Sequence, residues 1–146
     1  MNARRKFHLQ KVLDVRKLVE KSRQKELASI TQKLAAEQKA LAGLENKRDD
    51  FTRTMNEIRK AEASQFRGNQ AYLETLNGSI VEQSRTISAV EKEVDEKRQR
   101  LMEASKEKKA LEKLKEKQVA RDIYQENKIE QAVIDEVAIQ KSRTMT

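Results

Sequence analysis

LASITQKLAAEQKALAGLENKRDDFTRTMNEI, residues 27–58, holds one apolar spacing for more than four heptads. Leu27, Ile30, Leu34, Leu41, Leu44, Phe51, Met55 and Ile58 fall at alternating three- and four-residue steps, with Glu37 and Arg48 in the two remaining places. Such spacing aligns one stripe of a helix and predicts a coiled-coil seam. The rhythm returns in Leu73, Leu76, Ile80, Ile87, Val90, Val94, Leu101, Ala104 and Leu111, interrupted by Gln83, Lys97 and Lys108. Between the two runs lies Phe66-Arg67-Gly68-Asn69-Gln70, the clearest turn signal in the chain.

The two runs predict an antiparallel hairpin. With Leu27 and Leu73 both at a positions, an a residue of one helix packs beside a d residue of the other, so paired residue numbers add to a constant. Leu27 with Leu111, Leu34 with Ala104, Leu44 with Val94, Phe51 with Ile87 and Ile58 with Ile80 all give 138, which centres the turn on Asn69. The expected fold is all-α: one two-helix coiled-coil hairpin over 1–146, with helices at about 7–64 and 71–140 and a turn at about 65–70. Helices of that length extend on the order of 80 to 90 Å at about 1.5 Å per residue. Folding back on itself, the chain is expected to be monomeric.

Composition supports a thin seam rather than a thick core. Of the 146 residues, 36% are hydrophobic, 3% aromatic and 38% charged, with no proline and three glycines. Ala, Leu, Glu, Lys, Gln and Arg dominate, all good helix formers. A disordered chain of similar polarity would not sustain the three-four spacing. The absence of cysteine rules out a disulfide framework and thiol chemistry. Met1-Asn2-Ala3-Arg4-Arg5-Lys6 begins like a signal peptide, but polar Gln10, Lys11 and Asp14 come before an apolar region can form. A cytoplasmic protein is expected.

The formal charge of +8 is uneven. Residues 1–26 carry nine basic and three acidic side chains, 27–91 nine of each, 92–121 eleven and seven, and 122–146 three and five. In a hairpin the two basic blocks lie near one another, so electrostatic steering acts toward the termini.

Outside the seam the pattern broadens. Leu9, Val12, Leu13, Val15, Leu18 and Val19 spread over a wide face, and continuing the register backward puts Arg16, Glu20 and Arg23 inside, an unfavourable place for a dry contact. The segment reads either as a frayed or register-shifted end or as an apolar surface kept for a partner. His8, the single histidine, reads as ordinary packing beside Phe7 and Leu9. Glu62 and Gln65 weaken the seam before the turn, while Gly43 and Gly78 fall on outer faces. Beyond Gln118, Val119, Ile123, Ile129, Val133, Ile134, Val137 and Ile139 leave the earlier register, and the constant 138 sets residues 119–131 beside 7–19.

Charged seam members break the local rule. At 138, Glu37 faces Leu101, Lys97 faces Leu41, Arg48 faces Val90 and Lys108 faces Ile30, so no charge is matched across its layer. Long side chains can snorkel out of a two-stranded seam. The mismatches read either as stability given up for register or as a soft shaft able to bend or twist.

Catalysis needs groups converging in a water-poor cleft, which a two-stranded pair does not build. One histidine and no cysteine supply neither a metal cluster nor a nucleophile-base pair, and no phosphate-binding glycine loop is present. The sequence predicts no enzyme, no cofactor and no metal site. Binding of nucleic acid by the basic blocks, as in the coiled-coil arms of some tRNA-binding enzymes, is the alternative class. Aromatic residues interleaved with the basic patches are lacking, so no nucleic-acid partner is expected.

Several segments carry a family resemblance: Phe7-His8-Leu9-Gln10-Lys11-Val12-Leu13, then Glu26-Leu27-Ala28, then Gln70-Ala71-Tyr72-Leu73-Glu74-Thr75-Leu76-Asn77-Gly78-Ser79-Ile80, and finally Ile134-Asp135-Glu136-Val137-Ala138. In this order the chain resembles the FliJ family of flagellar export proteins, from about residue 7 to 140, with the YscO-type stalks of virulence secretion as nearest relatives. The resemblance implies a coiled coil like the gamma stalk of rotary ATPases and a place in the flagellar type III export apparatus, hence in motility and chemotaxis. It implies a protein peripheral to the inner membrane, regulating an export ATPase hexamer, contacting the membrane-embedded export gate and acting as a chaperone-handling factor for empty export chaperones. The family's gate-binding stripe falls on Tyr72, Leu76, Ser79 and Gln83, at the i, i+4, i+7, i+11 spacing of one helical face.

Overall fold

The computed structural model describes residues 6–58 and 63–145, and these are almost wholly helical. Helix α1 spans Gln10–Glu57 and helix α2 spans Ala63–Thr144. The chain is thus all-α, two long helices packed against each other. Contacts divide it into two compact units, Met1–Lys21 with Met102–Thr146 and Ser22–Leu101.

In the second unit the helix segments run antiparallel, shown by three descending pairs: Glu26 with Lys97, Glu37 with Gln83 and Phe51 with Tyr72. On α1 the inward positions are Leu27, Ile30, Leu34, Glu37, Leu41, Leu44, Arg48, Phe51 and Met55. On α2 they are Leu73, Leu76, Ile80, Gln83, Ile87, Val90, Val94, Lys97 and Leu101. The expected seam is reproduced over these positions, polar members included, but not at Ile58, which lies past the end of α1 and is exposed. Leu76, Ile87, Val90 and Val94 are its buried core.

The pairing register differs. Residue numbers add to 123 for Glu26 with Lys97 and for Phe51 with Tyr72, and to 120 for Glu37 with Gln83. Among the a-to-d registers the one nearest these values has a seam constant of 124, two heptads below the expected 138. A shift by whole heptads keeps every a-to-d pairing, so apolar spacing alone does not choose between the two. The polar members do. Gln83 donates through Nε2 to the Glu37 carboxylate and, at 3.0 Å, to the Glu37 carbonyl oxygen. Lys97 Nζ reaches Glu26 Oε2 at 3.5 Å. The expectation of unmatched seam charges is corrected accordingly, except at Arg48, whose guanidinium turns to its neighbour Asp49.

The expected turn at 65–70 is corrected as well. Residues 65–70 are helical, within α2, and Gly68 has no positive φ. Gly68 costs the helix about 1 kcal/mol relative to alanine, too little to break a helix whose Leu73 and Leu76 are packed. The expected extension of the first helix through residues 59–62, with the seam position of Glu62, lies outside the described residues, as does the segment 1–5.

In the first unit the segments are again antiparallel. Arg16 is paired with Glu107, and Glu20 accepts a 2.9 Å hydrogen bond from Lys108 Nζ. Their numbers add to 123 and 128, so the register seen in residues 22–101 holds here too. Glu20 does turn inward, against expectation, because Lys108 answers it, while Arg16 pairs with Glu107 at a part-exposed margin and Arg23, of the other unit, turns along α1 to Glu26. Leu13, 1% exposed, and Ala104 are buried apolar side chains of this unit. Phe7 is buried against α2 and edge-on to His8, ring centroids 5.8 Å apart. The Phe7 carbonyl accepts from the Gln10 N–H at 3.0 Å, closing the turn that opens α1. Residues 6–9 line grooves with Leu114, Gln118, Arg121 and Asp122, so the expected placement of 119–131 beside 7–19 is also corrected by about two heptads.

Candidate partner-docking surface

The four stripe residues share one face of α2 but not one environment. Tyr72 is 47% exposed, its ring edge-to-face on Phe51 at 4.7 Å and 67°. Leu76 is 6% exposed, inside the seam. Ser79 is half-buried, and Gln83 is half-buried and held by both bonds to Glu37. Only Tyr72 presents much of its side chain. Beside it a shallow apolar groove is lined by Phe51, Met55, Phe66 and Leu73, closed by Asn69 and Gln70. Phe66 lies one heptad before Leu73, at a seam position of α2, and is helical and exposed rather than in a turn. Its contribution was hidden in the sequence by the neighbouring Gly68-Asn69 pair.

The first unit carries a second apolar surface. Ile129, Val133, Ile134, Val137 and Ile139 are all exposed, on a helix that continues to Thr144. Every described residue beyond Glu126 is exposed. The sequence singles out these side chains, and in the register seen here they lie beyond the part of α2 that pairs with α1. Val133, Ile134 and Val137 fall within one stripe with Val119 and Ile123, at helical spacing. Lys141 and Arg143 complement the negative end of the helix dipole in the last turn.

Charge is organised around the inward polar pairs. The hydrogen bond from Lys108, helped by one involving Ser105, holds the Glu20 carboxyl below its ordinary range, and Glu20 in turn raises the Lys108 ammonium. Glu26 is lowered by the hydrogen bond from Arg23 Nη1, at 3.2 Å, and by the charge of Lys97. No buried side-chain polar atom among the described residues lacks a partner. Among the described residues no three His, Cys, Asp or Glu side chains gather as a metal site. What the arrangement offers is contact: two apolar surfaces on helices whose inward polar groups are satisfied.

The model of the family described as the flagellar FliJ protein matches residues 5–145. No curated protein and no solved structure matches the chain. With a family match over nearly its whole length, on a chain folded as paired long helices, this protein belongs to the flagellar FliJ protein family.

Proposed function

We propose that this flagellar export-related protein is a stalk that couples the export ATPase ring to the export gate and handles empty export chaperones, transferring no chemical group itself. The observation that carries the reading is the bare apolar stripe of α2, with Val133, Ile134 and Val137 exposed on intact helix. An exposed stripe of that kind on an otherwise charged helix marks a protein-protein contact. In this reading it enters the ATPase ring, with the basic residues of 1–26 and 92–121 steering the approach. The Tyr72 face engages the gate, through Tyr72 and Phe66 in the register seen here. No described helix is long and apolar enough to cross a membrane, and the protein works from the cytoplasm, reaching the inner membrane through its partners.

The test is ATP hydrolysis by the cognate export ATPase with and without this protein. Stimulation at stoichiometric addition is expected. An unchanged rate across concentrations at which the hexamer forms overturns the proposal.

A further inference from the structure

We propose that the helix pair within residues 37–101 has a second accessible register, two heptads from the first, in which paired numbers add to 138 and the chain turns at Gly68-Asn69. Two features of this unit point to it, the shared seam and the Gly68-Asn69 pair. The apolar seam is the same in both registers, since a two-heptad shift returns a positions to d positions: Leu44 faces Ile80 in the first and Val94 in the second. Inside α2, at the position the second register needs for its turn, stand Gly68 and Asn69, residues that favour turns over helix interiors. A side chain built at Gly68 meets nothing within 4 Å, so no close packing demands glycine there.

What separates the registers is polar matching. In the first, Gln83 bonds Glu37 and Lys97 pairs with Glu26. In the second, Glu37 faces Leu101, Lys97 faces Leu41 and Gln83 faces Met55. Two-state elements of this kind are biased by whatever contacts differ between the states. Here the polar pairs are made in one state only, while most apolar layers exchange one apolar partner for another.

The shift changes what the surface offers. In the second register Phe51 leaves Tyr72 for Ile87, and Leu76 passes from the seam interior to its margin beside the new turn. A buried leucine and a tyrosine held by an aromatic neighbour are released together. The inference rests on the helix pairing alone and stands whether or not the stalk proposal is right.

The chain has no cysteine, so disulfide pairs report register directly. Leu44→Cys with Ile80→Cys reports the first register and Leu44→Cys with Val94→Cys the second. Leu44→Cys with Ala89→Cys, off the seam, reports general opening. In the full-length protein the first pair closes fastest and the second closes more slowly but faster than the third. Adding Glu37→Leu and Lys97→Leu removes the polar bias and speeds closure of the second pair about tenfold, as expected for a differential loss of one order of magnitude in equilibrium constant. Closure is scored as intrachain product by mass, with helicity followed by circular dichroism. Equal slow closure of the second and third pairs in both backgrounds, or only interchain product from the second, overturns the proposal.

Discussion

Lys108, at a seam position of α2, donates a 2.9 Å hydrogen bond to Glu20, at a seam position of α1. The pair has a counterpart in Lys97 with Glu26 in the other unit. Both are inward lysines answered by inward carboxylates, and they give the helix pairing a pH signature. Glu20 and Glu26 hold their protons less tightly folded than unfolded, so their contribution is present above the ordinary value of 4.5 and is lost as pH falls through their lowered folded values. Lys108 is raised, so its contribution is complete below the ordinary value of 10.5 and is lost as pH rises through its folded value. The melting temperature is therefore expected to be flat between these limits and to fall on both sides. Lys108→Met should remove the alkaline fall and soften the acid one, leaving the part owed to Glu26.

Leu13 is the most deeply buried side chain of the first unit. Truncation by Leu13→Ala leaves a gap that two helices close only in part, at a cost of about 2–4 kcal/mol. Denaturant unfolding followed by circular dichroism measures it. A loss below about 0.5 kcal/mol would mean that the contact near the N-terminus does not persist in solution.

Gly68→Ala is expected to stabilise the protein by about 0.5–1 kcal/mol, because the position is helical, has no positive φ and opens onto free space. The opposite sign would place a turn there in the dominant state. The same substitution should also slow closure of the Leu44→Cys with Val94→Cys pair.

Val133→Glu with Val137→Glu places charge on the uncovered stripe of α2. Since both side chains are exposed, stability should change by no more than about 0.5 kcal/mol. Stimulation of the export ATPase should fall about tenfold, the effect of losing about 1.4 kcal/mol of contact. Unimpaired stimulation would remove this stripe from the proposed ring contact.

Tyr72→Ala removes an edge-to-face pair with Phe51 and costs about 1 kcal/mol. Leu76→Ala, at a buried seam position, costs about 2–4 kcal/mol. If the stripe binds the gate in the 124 register, Tyr72→Ala should weaken gate binding while Leu76→Ala should act mainly through stability. Calorimetric titration against the soluble gate domain, alongside thermal melts, separates the two effects.

Which residues face inward is legible in the sequence alone, down to Glu37, Arg48, Gln83 and Lys97, because a three-four spacing fixes a helix stripe without reference to its partner. Which inward residue meets which is not. Apolar layers are interchangeable under a shift of whole heptads, and the turn signal at Gly68-Asn69 favours 138. The deciding information lies in the residues that break the pattern. Glu20 opposite the neighbourhood of Lys108, Glu26 near Lys97 and Glu37 near Gln83 select 124 together, a test that places polar with polar before counting leucines. The pairing of Arg16 is hidden for the same cause, since Glu107 comes beside it only once the register is known, whereas Glu26 stands three residues from Arg23 on α1 itself. Of the candidate stripe, the spacing is visible in the sequence, but the burial of Leu76 and the engagement of Gln83 belong to the pairing.

The final eighteen residues of α2, from Asn127 to Thr144, are helical with every side chain exposed. A segment of that length seldom nucleates helix unaided in water, so its turns are propagated from the packed stretch before it. Amide hydrogen exchange should accordingly quicken toward Thr144 in an even gradient, without a step. Whatever closes over this tail inherits a backbone already in shape, and its arrival should be visible as that gradient going flat.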